Sequence, residues 1–487
     1  MMWPFSRRSA APAAVGSATP LYFYNTLVKD KQIFTMPSGA KTVRMYNCGP
    51  TVYGRQHIGN LSMFVFADIL RKVLEYNDFK VKQVINITDV GHLTSDGDEG
   101  EDKMSKGLKA KKMKLTLENM RLLADEYTEI FKNDLAALNI DISKIEFPRA
   151  SDYISTQIAM VETLEQKGYA YRTDDGVYYD TTRFGNYGAL GGIDLSGIKE
   201  GARVAVVSGK RHPTDFALWK LDKKIGWESP FGRGFPGWHI ECSAMIRKTL
   251  GEQIDIHTGG IEHIPVHHNN EIAQSEAVTG KRPLSRFWMH RAHVQIESKK
   301  IAKSGGNVVY LSEVIEKGFH PMALRYLFLG AHYRTSSNFS WESLAASSTA
   351  LSRLAAYAAP EAGTIPASYR ARFIERMNDD LDTPGALAVL WDMTKDDSLP
   401  KEDIAAGLRD ADRILGLGFA LPETLKVFVK DVVSITDVPS EVALLIEERE
   451  EARSDKDFAK ADELRSQIAD MGYEVKDGAA GAEIIKR

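Results

Sequence analysis

One stretch near the amino terminus, residues 42–88, constrains the fold more than any other part of the chain. The β-prone segment TVRMYNC is followed by the turn-forming letters GPTVYG and by HIGNLSMFVFADILRKVLEYNDF, in which apolar residues recur at helical spacing. A second β-prone segment, KVKQVINIT, ends the stretch. Strand, helix and strand in this order form a βαβ unit, which implies a parallel sheet with its ligand at the carboxyl ends of the strands. The sequence therefore predicts an α/β protein that begins with half of a nucleotide-binding sheet.

Residues 141–235 interrupt this alternation of strands and helices. They contain the aromatic-rich hairpin pattern GYAYRTDDGVYYDTT and several glycine turns, which predict an insertion. The alternation returns in residues 236–310, where GWHIECSAMIRKTLG and HHNNEIAQSEAVTG are typical of helices and QIDIHTGG and RFWMHRAHVQI of strands. From residue 311 the pattern is almost wholly helical. We expect a parallel sheet that is split by the insertion and followed by an α-helical bundle.

The length of the chain also indicates several domains, because 487 residues exceed the usual size of one hydrophobic core. Our predicted division is a flexible leader (1–20), the first half of a catalytic domain (21–140), a connective insertion (141–235), the second half (236–310), a helical domain (311–440), and a C-terminal helical hairpin with a tail (441–487). In that hairpin Phe458, Ala461, Leu464 and Ile468 are predicted to share one face. The leader is basic and rich in alanine and serine, so a transit peptide is the alternative interpretation.

Composition narrows the cellular setting. No stretch approaches the roughly 18 apolar residues that span a bilayer, so we expect a soluble protein with no membrane partner. The formal net charge of −4 excludes binding of nucleic acid through bulk charge, and any polyanion would have to meet local basic patches. Two cysteines cannot form a disulfide framework, and their scarcity suits a reducing, cytoplasmic location.

The start of the first predicted helix is a candidate nucleotide site. His57, Gly59 and Asn60 lie where the loop after the first strand meets the helix, so backbone N–H groups and the positive end of the helix face a ligand above the sheet. Phosphate is the natural ligand there. Gly59 would let a purine lie close to the backbone, and His57 and Asn60 could donate to phosphate oxygens during displacement at the α-phosphorus. A helix cap is the alternative interpretation of His57 and Asn60.

Two lysine motifs could supply positive charge to such a site. KMSK at residues 103–106 lies in the charged run EDKMSKGLKAKKMK, which is typical of a solvated face or of a nucleic-acid contact. KIAKS at residues 300–304 comes directly after the last predicted strand, where a glycine-flanked loop could fold over a triphosphate. We therefore predict that Lys300 and Lys303 neutralise the pyrophosphate charge that grows in the transition state.

Both cysteines lie beside these predicted loops. Cys48 ends the first strand and Cys242 lies on a predicted helix, while His267 and Glu271 occupy positions i and i+4 of another helix and project from one face. All four could converge above the carboxyl edge of the sheet. Zn²⁺ accepts thiolate, imidazole and carboxylate ligands, and a position that can be vacated distinguishes a substrate-binding site from a structural one. The set therefore predicts a zinc site, although a single buried cysteine is usually a small hydrophobe.

Other histidines surround this cluster and are expected to support it rather than to bind the ion. They are His239, His257, His263 and His268. His268 should point about 100° away from His267 around the helix and so should not share its ion. His239, three residues before Cys242, is the alternative ligand.

At these residues the chain resembles the class I aminoacyl-tRNA synthetases, and within them the cysteinyl-tRNA synthetases. YNCGPTVYGRQHIGN is similar to the first signature of the family, GFPGWHIECSAMI and HTGGIEHIPVHHNNEIAQSEA to its zinc-site segments, and KIAKSGGN to its Lys-Met-Ser-Lys-Ser loop. RMNDDLDTPGAL and ARSDKDFAKADELR are similar to the anticodon-side bundle and the C-terminal region. The resemblance covers nearly the whole chain from about residue 21.

The resemblance implies a Rossmann-like parallel sheet followed by stem-contact and anticodon-binding helices. It implies a ligase that joins L-cysteine to tRNA(Cys) with ATP, one Zn²⁺ per chain and Mg²⁺ with the ATP. Separately from the resemblance, we expect a monomer. No editing domain is evident. Asn60 stands where the family usually has a second histidine, and Ile301, Ala302 and Gly305 replace its common Met, Ser and Leu.

The resemblance also assigns roles to individual residues. The metal ligands would be Cys48, Cys242, His267 and Glu271, and Thr88, Trp238 and His257 would lie near the cysteine pocket. The predicted ATP-binding residues are Gly49, His57, Gly59, Asn60, Lys300, Lys303 and Ser304, of which His57, Asn60, Lys300 and Lys303 are predicted to act in catalysis.

Two other functions are open at this point. A ligase of the same type could join activated cysteine to an amino sugar, but such an acceptor needs no anticodon reader after residue 310. A catalytically silent, zinc-containing RNA-binding protein is the other alternative, and the intact His57, Lys300 and Lys303 disfavour it.

Overall fold

The computed structural model describes residues 19–90, 103–193, 209–296, 299–300, 308–358, 363–419, 432–433, 435–455, 457–478 and 481–486. Its strands are β1 (Tyr22–Asn25), β2 (Asp30–Ile33), β3 (Thr42–Asn47), β4 (Lys80–Ile85), β5 (Ile145–Glu146), β6 (Ala170–Thr173), β7 (Gly176–Tyr179), β8 (Phe216–Leu221), β9 (Gly234–Pro236), β10 (Ile254–Gly260), β11 (Ser285–Arg291), β12 (Val294–Ile296), β13 (Lys299–Lys300), β14 (Ser337–Phe339), β15 (Val432–Val433), β16 (Tyr473–Gly478) and β17 (Gly481–Lys486).

The α-helices follow the same chain order. They are α1 (Ile58–Tyr76), α2 (Lys103–Ala110), α3 (Leu117–Ala137), α4 (Ile154–Gln166), α5 (Trp238–Thr249), α6 (Asn269–Thr279), α7 (Leu311–Glu316), α8 (Pro321–Leu329), α9 (Trp341–Tyr357), α10 (Ala367–Asn378), α11 (Thr383–Met393), α12 (Lys401–Leu415), α13 (Ser440–Ser454) and α14 (Phe458–Asp470). None of these helices has the length and apolar character needed to cross a membrane.

A five-stranded parallel sheet in the order β11-β10-β3-β4-β5 forms the centre of the fold. β3 pairs with β4 on one side and with β10 on the other, so strands from before and after the insertion meet at the middle of the sheet. The carboxyl ends of all five strands therefore lie along one edge. The predicted α/β class with a split parallel sheet is confirmed.

The segment RFWMHRAHVQI, predicted to be one strand, forms two. β11 ends at Arg291, and after a break at Ala292 and His293 the chain continues as β12, which pairs with β14 in a second sheet. The N–H of Ala292 donates to the carbonyl oxygen of Tyr333 at 2.8 Å. This hydrogen bond to a distant segment draws the backbone out of the first sheet. The prediction of one continuous strand is wrong for this reason.

The insertion is built around a four-stranded antiparallel sheet, β6-β7-β8-β9. β5 lies within residues 141–235 but pairs with β4 of the parallel sheet. At the C-terminal end, α13 and α14 pack as the predicted helical hairpin, and Ala461, Leu464 and Ile468 are buried. Phe458 is 61% exposed, which corrects its predicted place on the buried face: it is the first residue of α14 and lies at the tip of the hairpin.

A buried charge network joins α1 to the helical region. Oδ1 of Asp68 accepts from Arg71 at 2.6 Å, and its Oδ2 accepts from Arg325 of α8 at 2.6 Å and lies 2.9 Å from Nζ of Lys72. Arg325 also donates to the carbonyl oxygen of Leu415, at the end of α12, at 2.7 Å. Burial alone would raise the pKa of Asp68, but Lys72, Arg325 and Arg71 outweigh burial and hold this pKa well below its usual value.

Replacing Asp68 with asparagine is expected to lower the free energy of unfolding by about 3–5 kcal/mol, because it leaves buried cations without their shared carboxylate. Urea unfolding followed by circular dichroism measures the change. Asp379→Asn removes the exposed pair between Lys31 and Asp379 and is the control, with an expected loss below about 1 kcal/mol. Equal losses in the two variants would contradict the central role of Asp68.

Candidate active site

A cleft opens at the carboxyl edge of the parallel sheet, where the loop after β3 meets α1. It is lined by Gly49, His57, Gly59 and Asn60 from one half of the sheet and by Trp238, His263 and Arg291 from the other. A Cβ on Gly49 would lie 1.6 Å from the carbonyl oxygen of Asn86, and the Gly49 N–H donates to the Asn86 side chain at 2.7 Å. Only glycine permits this approach, which holds the loop against the end of β4.

His57 and Asn60 shape the first turn of α1. His57 is the N-cap residue, and its Nδ1 accepts from the N–H of Asn60 at 3.2 Å. The side-chain amide of Asn60 donates to Oε1 of Gln56 at 2.6 Å. The capping interpretation therefore applies to His57, while both side chains also line the cleft. Their contact with ATP stays a prediction.

The two lysine motifs differ in how the structure describes them. KMSK at residues 103–106 begins helix α2, in which Met104 is fully buried and Lys106 is exposed. A Cβ on Gly107 of the same helix would lie 2.8 Å from the carbonyl oxygen of Tyr53, so α2 packs directly on the cleft loop. The backbone of Lys300 ends β13, which pairs with β12, whereas Lys303 and Ser304 lie outside the described residues.

The four predicted metal ligands come together beside this cleft. Each of the four residues offers one ligand atom, and these atoms all lie within 4.8 Å of one another; the residues are Cys48, Cys242, His267 and Glu271. All four side chains are buried. Sγ of Cys48 lies 3.8 Å and Nε2 of His267 lies 3.0 Å from Oε1 of Glu271. A tetrahedral zinc ion separates its ligand atoms by about 3.3–3.8 Å, so only small adjustments would be needed. The donor set fits such an ion, and metal binding by these residues stays a prediction.

His268 lies close to the same atoms, contrary to its predicted direction. Its Nε2 is 3.3 Å from Sγ of Cys48, and a second group of possible ligands consists of Cys48, His257, His268 and Glu271. The reason is local geometry: residues 264–268 form a turn of π-helix, which is wider than the α-helix assumed from the sequence. His239, the alternative ligand, instead contacts His267, with 2.9 Å between their Nδ1 atoms, and belongs to neither group.

Burial and charge set the protonation of the cluster. The hydrogen bond from Cys48 lowers the pKa of Cys242 to about 6 despite burial, whereas burial raises the pKa of Cys48 above its usual value. Burial would raise the pKa of Glu271, but His257 and His267 outweigh it and hold this pKa well below the usual range. Burial opposes the charge on His267, but Glu271 raises its pKa to about 10. A divalent cation would displace these protons, because metal ligands bind in their deprotonated forms.

Of the residues predicted near the cysteine pocket, Trp238 and His257 contact the cluster, and Thr88 contacts Glu241, the residue before Cys242. The ring centroids of Trp238 and His267 are 4.4 Å apart, and Trp238 lines the cleft. Oγ1 of Thr88 lies 3.4 Å from a carboxylate oxygen of Glu241. Nε2 of His257 lies 2.9 Å from Oε2 of Glu271, which is the oxygen turned away from His267, so His257 orients a predicted ligand.

Sequence reasoning did not single out His290 and Arg291, at the end of β11. Nε2 of His290 lies 2.8 Å from Nδ1 of His268, so His290 extends the histidine cluster. Arg291 lines the cleft. Side chains alternate along a strand, and the pair Trp288 and His290 faces the cluster, so this alternation was the available signal.

Comparisons with known proteins agree with this geometry. A family model for the catalytic domain of class I (C) tRNA synthetases matches residues 34–349, one for the DALR domain matches residues 372–419, and one for the anticodon-binding domain of cysteinyl-tRNA ligase matches residues 436–484. Cysteine–tRNA ligase 1 of Burkholderia lata is 47% identical over 96% of this chain and 97% of its own length. The chain belongs to the cysteine–tRNA ligase family.

Other relatives place the chain within the same family and fold. The cysteine–tRNA ligase of Treponema denticola is 41% identical, over 94% of this chain and 98% of its own. A solved structure of Mycobacterium tuberculosis methionyl-tRNA synthetase bound by methionyl-adenylate superimposes with a TM-score of 0.54 and 13% identity, covering 82% of this chain and 95% of that chain. At that identity the likeness shows the fold alone. The class I synthetase architecture expected for the cysteine–tRNA ligase family is therefore confirmed.

Proposed function

We propose that this chain activates L-cysteine with ATP and transfers it to tRNA(Cys), the activity that the names of its relatives give. One observation carries the proposal: two thiols, an imidazole and a carboxylate are buried together directly beside the cleft at the start of α1. Trp238 contacts His267 of the cluster and also lines the cleft, so it joins the two. A cysteine bound there could direct its thiol to the cluster and its carboxylate to an ATP phosphate at the helix terminus.

The proposed reaction has two steps. The carboxylate of cysteine attacks the α-phosphorus of ATP, which forms cysteinyl-adenylate as the bond to pyrophosphate breaks. A hydroxyl of the 3′-terminal adenosine of tRNA then attacks the carbonyl carbon, and AMP leaves. The protein forms no covalent bond, so positioning by the cleft and charge stabilisation by His57, Asn60, Lys300 and Lys303 would supply most of the rate.

We propose Zn²⁺ for the buried cluster and Mg²⁺ as the ion that accompanies ATP. Two thiolates with an imidazole and a carboxylate suit zinc, whereas magnesium prefers oxygen ligands. Cys48, Cys242, His267 and Glu271 would hold the zinc, which would supply a binding position for the substrate thiolate. Serine offers only a weakly binding hydroxyl, so a rejection of serine by roughly 10⁴ is expected without editing.

The C-terminal region supports tRNA as the acceptor. Its match to an anticodon-binding domain distinguishes this proposal from transfer of cysteine to an amino sugar, which needs no such reader. The cytoplasmic location and the monomeric state stay predictions, and the two free cysteines are in keeping with a reducing compartment.

The purified, zinc-loaded protein is expected to catalyse cysteine-dependent exchange of pyrophosphate into ATP and to acylate total tRNA with labelled cysteine. Serine replaces cysteine as the control and should support little exchange. Exchange without acylation would point to a different acceptor, such as the amino sugar. A zinc-loaded protein without exchange would contradict the proposal as a whole.

A further inference from the structure

A row of three hydrogen-bond contacts leads from the residue after β1 to the thiol of Cys48. Oγ1 of Thr26 lies 2.8 Å from Nδ1 of His290, and Nε2 of His290 lies 2.8 Å from Nδ1 of His268. Nε2 of His268 lies 3.3 Å from Sγ of Cys48. His290 is 4% exposed and His268 is fully buried, so protein groups decide where the ring protons lie. We call Thr26, His290 and His268 the histidine chain.

The backbone holds the hydroxyl end of the histidine chain in place. The N–H of Thr26 donates to the carbonyl oxygen of Trp288 in β11 at 2.9 Å. The N–H of Trp288 donates to Oδ1 of Asn25 at 3.1 Å, and Nδ2 of Asn25 donates to the carbonyl oxygen of Arg286 at 2.9 Å. The hairpin of β1 and β2, which forms a sheet of its own, therefore presents a fixed hydroxyl to the histidines.

The chemistry of the two ends fixes the direction of these hydrogen bonds. A thiolate that binds a metal ion can only accept, so His268 must carry its proton on Nε2 once Cys48 is a ligand. Burial favours neutral imidazoles and lowers the pKa of His290 to about 3. A neutral ring with its proton on Nε2 accepts at Nδ1. His290 therefore donates to His268, and the hydroxyl of Thr26 donates to His290.

We propose that Thr26 and His290 are positioning residues, which hold His268 in the tautomer that donates a hydrogen bond to the thiolate of Cys48. The inference rests on the proposed zinc site. It gives Cys48 an outer partner, as His257 is the outer partner of Glu271. Bonds in such a chain polarise one another, so the hydroxyl of Thr26 acts on the sulfur although two rings separate them.

The charge of the ligand set explains what the histidine chain would contribute. Two thiolates and one carboxylate bring three negative charges to a divalent ion, and the substrate thiolate would add a fourth. A donor at Sγ of Cys48 withdraws part of this excess charge. The site would then hold its ion more firmly and accept the substrate thiolate more readily.

The positions of the ring protons test the proposal directly. Long-range ¹⁵N–¹H correlation spectra of the zinc-loaded protein with ¹⁵N-labelled histidine are expected to show His268 and His290 with a proton on Nε2 and an unprotonated Nδ1. The variants His268→Gln and His290→Phe assign the two sets of signals by their loss. This measurement uses the unchanged protein, so it decides the question even if a variant at Thr26 does not fold.

Thr26→Val removes the hydroxyl and keeps the branched shape of the side chain. Its zinc affinity, measured by competition with a chelator, is expected to fall roughly 10-fold, the smaller of the usual losses for an outer partner. In the cobalt-substituted protein the thiolate-to-metal charge-transfer band should move to longer wavelength, because the sulfur lone pair loses stabilisation. Thr26→Ser keeps the donor and should restore both properties.

Thr181→Val is the matched control, since it removes a buried threonine hydroxyl that bonds to Asp215 at 3.0 Å in the insertion. Its zinc affinity and cobalt spectrum should equal those of the unchanged protein. A variant that merely loosens the fold would lower the melting temperature without moving the cobalt band.

Three results would overturn the inference. The first is a proton on Nδ1 of His290 or of His268, which includes a doubly protonated His268. The second is an unchanged zinc affinity in Thr26→Val, and the third is an equal loss in Thr26→Val and Thr26→Ser. If the unchanged protein retains no zinc, the proposed metal site fails first, whereas retained zinc with the other tautomer overturns only the role of the histidine chain.

Discussion

Replacing Cys242 with serine is expected to remove most of the bound zinc and to erode the preference for cysteine over serine. Sγ of Cys242 is buried among the other three predicted ligands, and its pKa of about 6 favours the thiolate that a zinc ion needs. A serine hydroxyl does not ionise near neutral pH, so the site would lose one of its anionic ligands. We expect at least a 100-fold loss of zinc affinity, by analogy with the loss of about 10- to 100-fold when only an outer partner is removed. Metal content after dialysis and exchange rates with cysteine and with serine measure the two effects.

The control for this prediction separates the two possible ligand groups. His268→Gln alters only the second group, in which His268 and His257 take the places of Cys242 and His267. If the first group holds the metal, His268→Gln should retain zinc under dialysis conditions that strip Cys242→Ser. The opposite order would assign the ion to the second group. Unchanged zinc content and unchanged discrimination in Cys242→Ser would refute the site.

The parts of the fold that the sequence predicted are those with local signals. The strand and helix that meet at His57 could be recognised because apolar spacing reports the secondary structure of each segment by itself. The break between β11 and β12 has no such signal. It depends on the hydrogen bond between Ala292 and Tyr333, two residues that only the tertiary structure brings together.

The candidate site divides in the same way. The convergence of Cys48 with Glu271 could be inferred, because the ends of parallel strands share one edge of the sheet and because i and i+4 positions share one helix face. The place of His268 could not be inferred, because side chains on a π-helical turn are spaced differently from those on an α-helix. The sequence IPVHH carries no recognisable signal of a π-helical turn. Arg291 was missed because the burial of a charged side chain depends on the tertiary structure around it and leaves no signal in the local sequence.

Lys303→Ala is expected to slow formation of cysteinyl-adenylate by roughly 10²–10³-fold while leaving the affinity for cysteine almost unchanged. The proposed role of Lys303 is to neutralise charge that grows on pyrophosphate in the transition state, and removing one such preorganised charge costs a factor of this size. The segment that contains Lys303 begins near the cleft. Lys300 belongs to β13, which pairs with β12, and Val294 at the start of β12 lines the cleft. Single-turnover adenylate formation and the KM for cysteine in pyrophosphate exchange separate chemistry from binding.

Lys106→Ala is the matched control, because it belongs to the other Lys-x-x-Lys motif of the chain. Lys106 is an exposed residue of α2, so adenylate formation should change less than about threefold when it is removed, a difference of well under 1 kcal/mol. The comparison tests which motif serves the nucleotide, since α2 also packs on the cleft loop at Tyr53. If Lys106→Ala proved the more damaging change, charge stabilisation would have to be assigned to α2, and KIAKS would lose its proposed role.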